Sequence, residues 1–166
     1  MRRAHWSIRS NVINLAGDIL IIGIGNTLRR DDGAGWFFAE ALTAALRTAG
    51  QRVHLICVHQ LTPELAVDAA ELQPAAILFV DASVVVRTVA LTPLSAPTPV
   101  ASTSSGHALT PATLLTLIRR LYNVETAGWL VQTPGVDFGH GEGLSATAQR
   151  GVAAAPAVAR LFGAHG

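Results

Sequence analysis

Two carboxylates and one imidazole, far apart in this chain of 166 residues, stand where they could share a metal ion. Asp32 follows the first apolar segment, Asp81 ends another apolar segment, and His107 comes shortly before a helix start. Two carboxylates and an imidazole leave coordination positions open and suit borderline divalent metals such as nickel or zinc. The spacing therefore suggests a site that can receive a metal arriving with ligands of its own.

The elements around Asp32 form a strand, a loop and a helix. Residues 18–25 are a β-branched apolar run that ends in glycines, which predicts a buried parallel strand. Residues 35–48 repeat apolar side chains at helical spacing. Asp32 is thus expected in the loop at the carboxyl end of the first strand, where open α/β sheets bind ligands.

Asp81 is expected at the same edge of the sheet. A strand over 52–58 and a helix over 62–72 lead to the apolar run 76–81, which reads as a strand ending on this carboxylate. Parallel strands connected by helices bring their carboxyl ends to one edge. A carboxylate there is costly to bury without a partner.

The whole pattern predicts an α/β fold, a doubly wound three-layer α/β/α sandwich in one domain over 1–166. The mostly parallel sheet has about five strands and one antiparallel edge strand, and residues 1–17 form a poorly ordered extension. Thr-Pro pairs at 62 and 110 are each expected to cap a helix. The remaining elements are an edge strand over 86–94, a mobile loop over 95–106, a helix over 110–123, a strand over 126–132 and a helix over 145–162 interrupted near Pro156.

The composition excludes several classes of protein. The net charge is only +1, and no basic run could track a phosphate backbone, so nucleic acid is not an expected partner. No apolar run approaches the ~20 residues of a membrane span. Residues 1–18 lack the continuous apolar stretch that a secretory signal needs, so we expect none. We expect a cytoplasmic, monomeric protein in which the lone Cys57 is a buried structural thiol.

The Gly23-x-Gly25 pattern also invites a dinucleotide-binding interpretation, but Leu28 replaces the third glycine of that fingerprint. Two acids, at 31 and 32, would meet a bound pyrophosphate with like charge. A cation therefore suits the loop better than a phosphate. We interpret Asp31 as a cap for the helix that follows.

The chain resembles the hydrogenase maturation endopeptidases, which trim a carboxyl-terminal extension from the large subunit of nickel-iron hydrogenases. Residues 23–35 are similar to the family's Gly-x-Gly-Asn and Asp-Asp/Glu-Gly-x-Gly segment, Phe79-Val80-Asp81-Ala82 to its strand-terminal Asp-Ala, and Gly106-His107 to its loop histidine. Further support comes from 59–65 and 138–145. The order and spacing fit over about residues 19–162.

The resemblance implies cleavage of a peptide bond in a hydrogenase precursor, with nickel already inserted there as the recognition signal. Zinc or cadmium could replace the nickel in vitro. By position, Asp32, Asp81 and His107 match the family's metal-contacting residues, with Asp32 where the family often has Glu. Asp32 and Asp81 are the catalytic candidates in an aspartic-type, water-dependent reaction, because no Gly-x-Ser-x-Gly elbow is present.

Three alternatives stay open. His140, in a flexible polar segment, competes with His107 for the third position. A non-enzymatic module could bind a nucleotide or another anion at residues 23–35. A nickel-site chaperone that holds the immature subunit without cutting it needs the same ligands as a protease.

Overall fold

The computed structural model describes residues 12–95 and 109–163, which contain one five-stranded sheet. The strands lie in the order β2-β1-β3-β5-β4. Every neighbouring pair is parallel except β4 and β5, which are antiparallel. In chain order the strands are β1 (Ile19–Ile24), β2 (Val53–Val58), β3 (Ala76–Ser83), β4 (Ala90–Pro93) and β5 (Ala127–Pro134). The predicted α/β fold with an antiparallel edge strand is confirmed.

Helices cover both faces of the sheet. They are α1 (Ala34–Thr48), α2 (Leu65–Leu72), α3 (Pro111–Leu121), α4 (Ala146–Ala153) and α5 (Ala155–Leu161). One apolar core joins α1 and α5 to the sheet, with α4 packed against α1. A second core joins α2 and α3 to the opposite face.

The central strand β1 shows why the sheet is buried on both sides. Ile19 and Ile21 belong to the core under α1, whereas Leu20 and Ile22 belong to the core under α2. All four side chains are fully buried. A continuous apolar run is what a strand covered on both faces requires, because its side chains alternate between the faces.

Two predicted helix starts have different outcomes. Thr110 caps α3 as expected, its side chain accepting the N–H of Thr113 at 3.1 Å. The capping prediction for Thr62 is wrong, since α2 begins only at Leu65 and has no side-chain cap. The backbone N–H of Glu64 and the Thr62 hydroxyl instead bind the Glu64 carboxylate and lower its pKa.

The last predicted helix is interrupted, as expected, where α4 and α5 meet beside Pro156.

At the other end of the chain, the N–H of Ile13 donates to the carbonyl of Leu161 at 2.6 Å, and Leu15 packs on the core. Both residues belong to the segment 1–17, which was expected to be a poorly ordered extension. The first part of that segment, residues 1–11, and the loop residues 96–106 lie outside the described residues. Among the described helices, none is both long and apolar enough to cross a bilayer.

Candidate active site

The strand order creates a switch point between β1 and β3. The chain goes from β1 to β2 on one side and then returns to β3 on the other side of β1. Crevices outside the carboxyl ends of strands at such a point are the usual ligand sites of open α/β sheets. Asp32 lies in a 3-10 turn, Arg30–Gly33, that connects β1 to α1, and Asp81 lies near the end of β3.

The structure brings Asp32 and Asp81 together at this point. Burial raises the pKa of Asp81 to about 6; the N–H of Ala82 opposes the shift by hydrogen bonding, and the negative charge of Asp32 adds to it. A carboxylate with a pKa near 6 can exchange a proton close to neutral pH. The two acids therefore form a pair suited to proton transfer or to binding a cation.

Two glycines allow the main chain to close around the acids. A Cβ at Gly35, in the first turn of α1, would lie 2.1 Å from the Ile24 carbonyl oxygen and 3.3 Å from the Cα of Asp81. At Gly25, where φ is +145°, a Cβ would lie 1.9 Å from the carbonyl oxygen of Asp32. Gly25 and Gly35, two of the four glycines of the motif, are thus needed for close backbone approach.

Asp31 does not cap the following helix, so that interpretation is wrong. Its carboxylate is fully buried and faces the loop after β5. It accepts the N–H groups of Val136 at 2.8 Å, Asp137 at 3.0 Å and Ser145 at 2.7 Å, and the Ser145 hydroxyl at 2.6 Å. Local sequence gives no signal for this contact, because the donors come from more than 100 positions away.

The loop 135–145 is also tied to residues 28–30 by several bonds. The N–H of Gly141 donates to the Leu28 carbonyl at 2.8 Å, and the N–H of Arg30 donates to the Gly141 carbonyl at 2.9 Å. The exposed guanidinium of Arg29 donates to the Phe138 carbonyl and that of Arg30 to the His140 carbonyl, both at 3.2 Å. The loop therefore forms a wall beside the turn that carries Asp32.

The histidines do not complete a metal site within the described part of the chain. His107 lies outside the described residues. His140 is exposed on the loop wall, and His59 is exposed beside the Trp36 ring, with 5.5 Å between ring centroids. Over 12–95 and 109–163, no three His, Cys, Asp or Glu side chains are grouped as metal ligands.

Cys57 is half-buried in β2 rather than fully buried as expected. Its position on the outermost parallel strand explains the difference, since β2 has a neighbour on one side only. Burial and the charge of Glu40 raise the pKa of the thiol. A protonated thiol is a poor nucleophile.

Comparison with solved structures identifies proteins of the same fold. The NiFe hydrogenase maturation protease HycI from Thermococcus kodakarensis KOD1 matches with a TM-score of 0.65 and 24% identity over 88% of this chain and 92% of that chain. An endopeptidase from Escherichia coli matches with a TM-score of 0.59 and 21% identity over 85% and 88%. The maturation protease HybD from Thermococcus kodakarensis matches with a TM-score of 0.56 and 20% identity over 86% and 96%.

At these identities the likeness establishes a shared fold over nearly the full length of each protein. No protein-family model matches the chain, and no curated protein sequence matches it significantly.

Proposed function

We propose that the chain is an endopeptidase that removes the carboxyl-terminal extension from the precursor of a nickel-iron hydrogenase large subunit. The observation that carries this proposal is the pairing of Asp32 and Asp81 at the switch point of a fold shared with solved maturation proteases. The motif over 23–35 supports it as well. Its glycines at 25 and 35 are required for packing around the two acids.

Nickel enters this proposal as part of the substrate. The precursor brings a metal that already has ligands of its own, and Asp32 and Asp81 contact it at open coordination positions. His107 supplies the third group. An imidazole and two carboxylates also accept zinc or cadmium, so either metal is a useful substitute in vitro.

Asp81 is the better candidate for moving protons. An ionised Asp81 takes a proton from water as the water oxygen attacks the scissile carbonyl carbon, and the protonated Asp81 returns it to the departing amine nitrogen. The products are a new carboxylate and the released extension. The pKa of Asp81 is about 6 before the precursor's metal binds, and contact with the cation lowers it, which favours the ionised carboxylate that accepts the first proton.

The first experiment compares nickel-loaded with nickel-free precursor. Purified precursor in each form is incubated with the protein, and the masses of the products are measured by intact mass spectrometry. We expect a single cut near the carboxyl terminus of the loaded form and none in the nickel-free form. Equal cutting of both forms would refute nickel recognition, and no cutting of either would refute the protease.

The two alternative functions predict different results. A nickel-site chaperone would form a stable complex with the loaded precursor and leave its mass unchanged. A nucleotide-binding module would bind a nucleotide in a calorimetric titration, with no effect of Asp32→Ala. The paired acids disfavour the nucleotide alternative, because a phosphate beside them would meet like charge.

The remaining parts of the proposal concern the oligomeric state, the cellular location and the partner of the enzyme. We infer a monomeric cytoplasmic protein whose partner is the precursor alone. Size-exclusion chromatography with light scattering tests the first part, and fractionation of cells tests the second.

A further inference from the structure

Asp31 is a buried acid with no part in the proposed proton transfers. A buried carboxylate is costly unless its oxygens are fully hydrogen-bonded. Asp31 meets this condition with four donors: three backbone N–H groups, from Val136, Asp137 and Ser145, and the Ser145 hydroxyl, all within 3.0 Å. Such a complete set indicates that Asp31 holds the loop 135–145 in one arrangement.

The 3-10 turn that carries Asp32 is held from two sides. On one side, Asp31 binds the loop 135–145. On the other, the carbonyl of Asp32 packs so closely on Gly25 that no Cβ would fit between them. Arg30, directly before the two acids, has a φ of +46°, a left-handed backbone conformation that residues other than glycine rarely adopt. Strained residues persist where the surrounding structure enforces them.

We propose that Asp31 is a positioning residue for Asp32, a role that rests on the proposed function of the acid pair. In a 3-10 turn, successive side chains point about 120° apart. Asp31 can therefore reach into the loop while Asp32 lies beside Asp81. Any rotation of the turn that frees Asp31 also moves Asp32, and a displacement of ~1 Å can lower a rate ~100-fold.

Asp31→Asn is the primary test because it keeps the size of the side chain but replaces one accepting oxygen with a donating NH2 group. At a temperature where the variant is fully folded, we expect its kcat/KM on nickel-loaded precursor to fall at least ~10-fold. The matched control is Ile118→Val, which loosens the fully buried core under α3 on the far face of the sheet. The control should cut as fast as wild type.

Ser145→Ala tests the same link if Asp31→Asn fails to fold. It removes the hydroxyl that donates to Asp31 and also the cap that accepts the N–H of Ala148 at 3.2 Å. Thr110→Ala is its control, since the bonds it removes, to the N–H and the hydroxyl of Thr113, lie at the start of α3. We expect a several-fold lower kcat/KM for Ser145→Ala and no change for Thr110→Ala.

Hydrogen exchange supplies a readout that does not depend on cutting. The N–H of Asp32 donates to the Arg29 carbonyl at 3.0 Å, so its exchange rate reports whether the turn stays closed. Asp31→Asn should speed this exchange, and Ile118→Val should not. An unchanged exchange rate at Asp32, or cutting within twofold of wild type, overturns the positioning role. If Asp32→Asn cuts at the wild-type rate, the proposed function fails, while exchange still decides whether Asp31 holds Asp32.

Discussion

The carboxylate of Asp31 accepts both the backbone N–H and the hydroxyl of Ser145, across a separation of 114 residues. Ser145 is also the N-cap of α4, where its oxygen accepts the N–H of Ala148. One buried acid thus joins the first loop of the sheet to the start of a helix near the end of the chain. This contact is one of those that hold the loop 135–145 beside the acid pair.

The first prediction concerns stability in acid. Burial tends to raise the pKa of Asp31, but hydrogen bonds from Ser145, Val136 and Asp137 outweigh it and hold the pKa below its usual value. The ionised carboxylate therefore stabilises the fold above the ordinary carboxyl pKa near 4, and this contribution is lost as the pH falls through the lowered value. Asp31→Asn should lower the free energy of unfolding by about 2–4 kcal/mol at pH 7.

Urea unfolding of wild type and Asp31→Asn at pH 7 and at pH 2.5 checks this prediction. The difference between the two proteins should be larger at pH 7 than at pH 2.5. A difference that stays constant over this range would mean that the charge of Asp31 contributes nothing.

The second prediction has the opposite sign and concerns Asp81. Its pKa of about 6 in the folded protein lies above the ordinary value, so the ionised group destabilises the fold above pH 6. As the pH falls from 6 to 4, the folded protein takes up a proton before the unfolded chain does, and this cost disappears. Asp81→Asn should therefore stabilise the protein at pH 8 by about 1–3 kcal/mol and have little effect at pH 4.

Thermal or urea unfolding at both pH values measures the effect, with Glu125→Gln, an exposed position in the loop before β5, as control. A destabilised Asp81→Asn at pH 8 would show that the acid is held by favourable contacts instead of being strained by its neighbours. A gain in stability with a loss of cutting would be typical of a group kept for its chemistry.

The third prediction compares two glycines with positive φ. Gly25 has a φ of +145° and Gly50 a φ of +83°, but only Gly25 is crowded. Gly50→Ala should lower the free energy of unfolding by about 1–2 kcal/mol, because alanine disfavours the left-handed backbone conformation there, and it should leave cutting unchanged. Gly25→Ala should abolish cutting, because its Cβ would displace the carbonyl of Asp32.

Circular dichroism and the precursor assay, run in parallel on both variants, check this comparison. Normal cutting by Gly25→Ala would mean that the turn carrying Asp32 tolerates displacement, contrary to the proposed geometry.

Much of the fold can be predicted from the sequence because its signals are local. The apolar run before Asp81 marks β3, and the glycines around Asp32 mark the loop after β1; both acids could therefore be assigned to one edge of the sheet. The contact between Asp31 and Ser145 could not be predicted in this way. That contact depends on how the fold brings together two residues that are far apart in the sequence and share no local pattern. The third metal-contacting residue is hard to predict from the sequence for the same reason.

The two Thr-Pro pairs show that even a local sequence pattern can have two structural outcomes. Thr110 and Thr62 are each followed by proline, yet only Thr110 caps a helix. At Thr62 the nearby Glu64 carboxylate binds the hydroxyl instead. Competition between two local partners decides the outcome, and the Thr-Pro pattern alone does not reveal it.

The roles of Asp32 and Asp81 can be tested by the single-turnover rate at which nickel-loaded precursor is cut by wild type, Asp32→Asn, Asp81→Asn and Asp68→Asn. If the acid pair performs the reaction, Asp32→Asn and Asp81→Asn, folded by circular dichroism, should each lose at least ~100-fold in rate, while Asp68→Asn should match wild type. Rates for Asp32→Asn and Asp81→Asn within a few-fold of wild type would show that the acid pair does not perform the reaction.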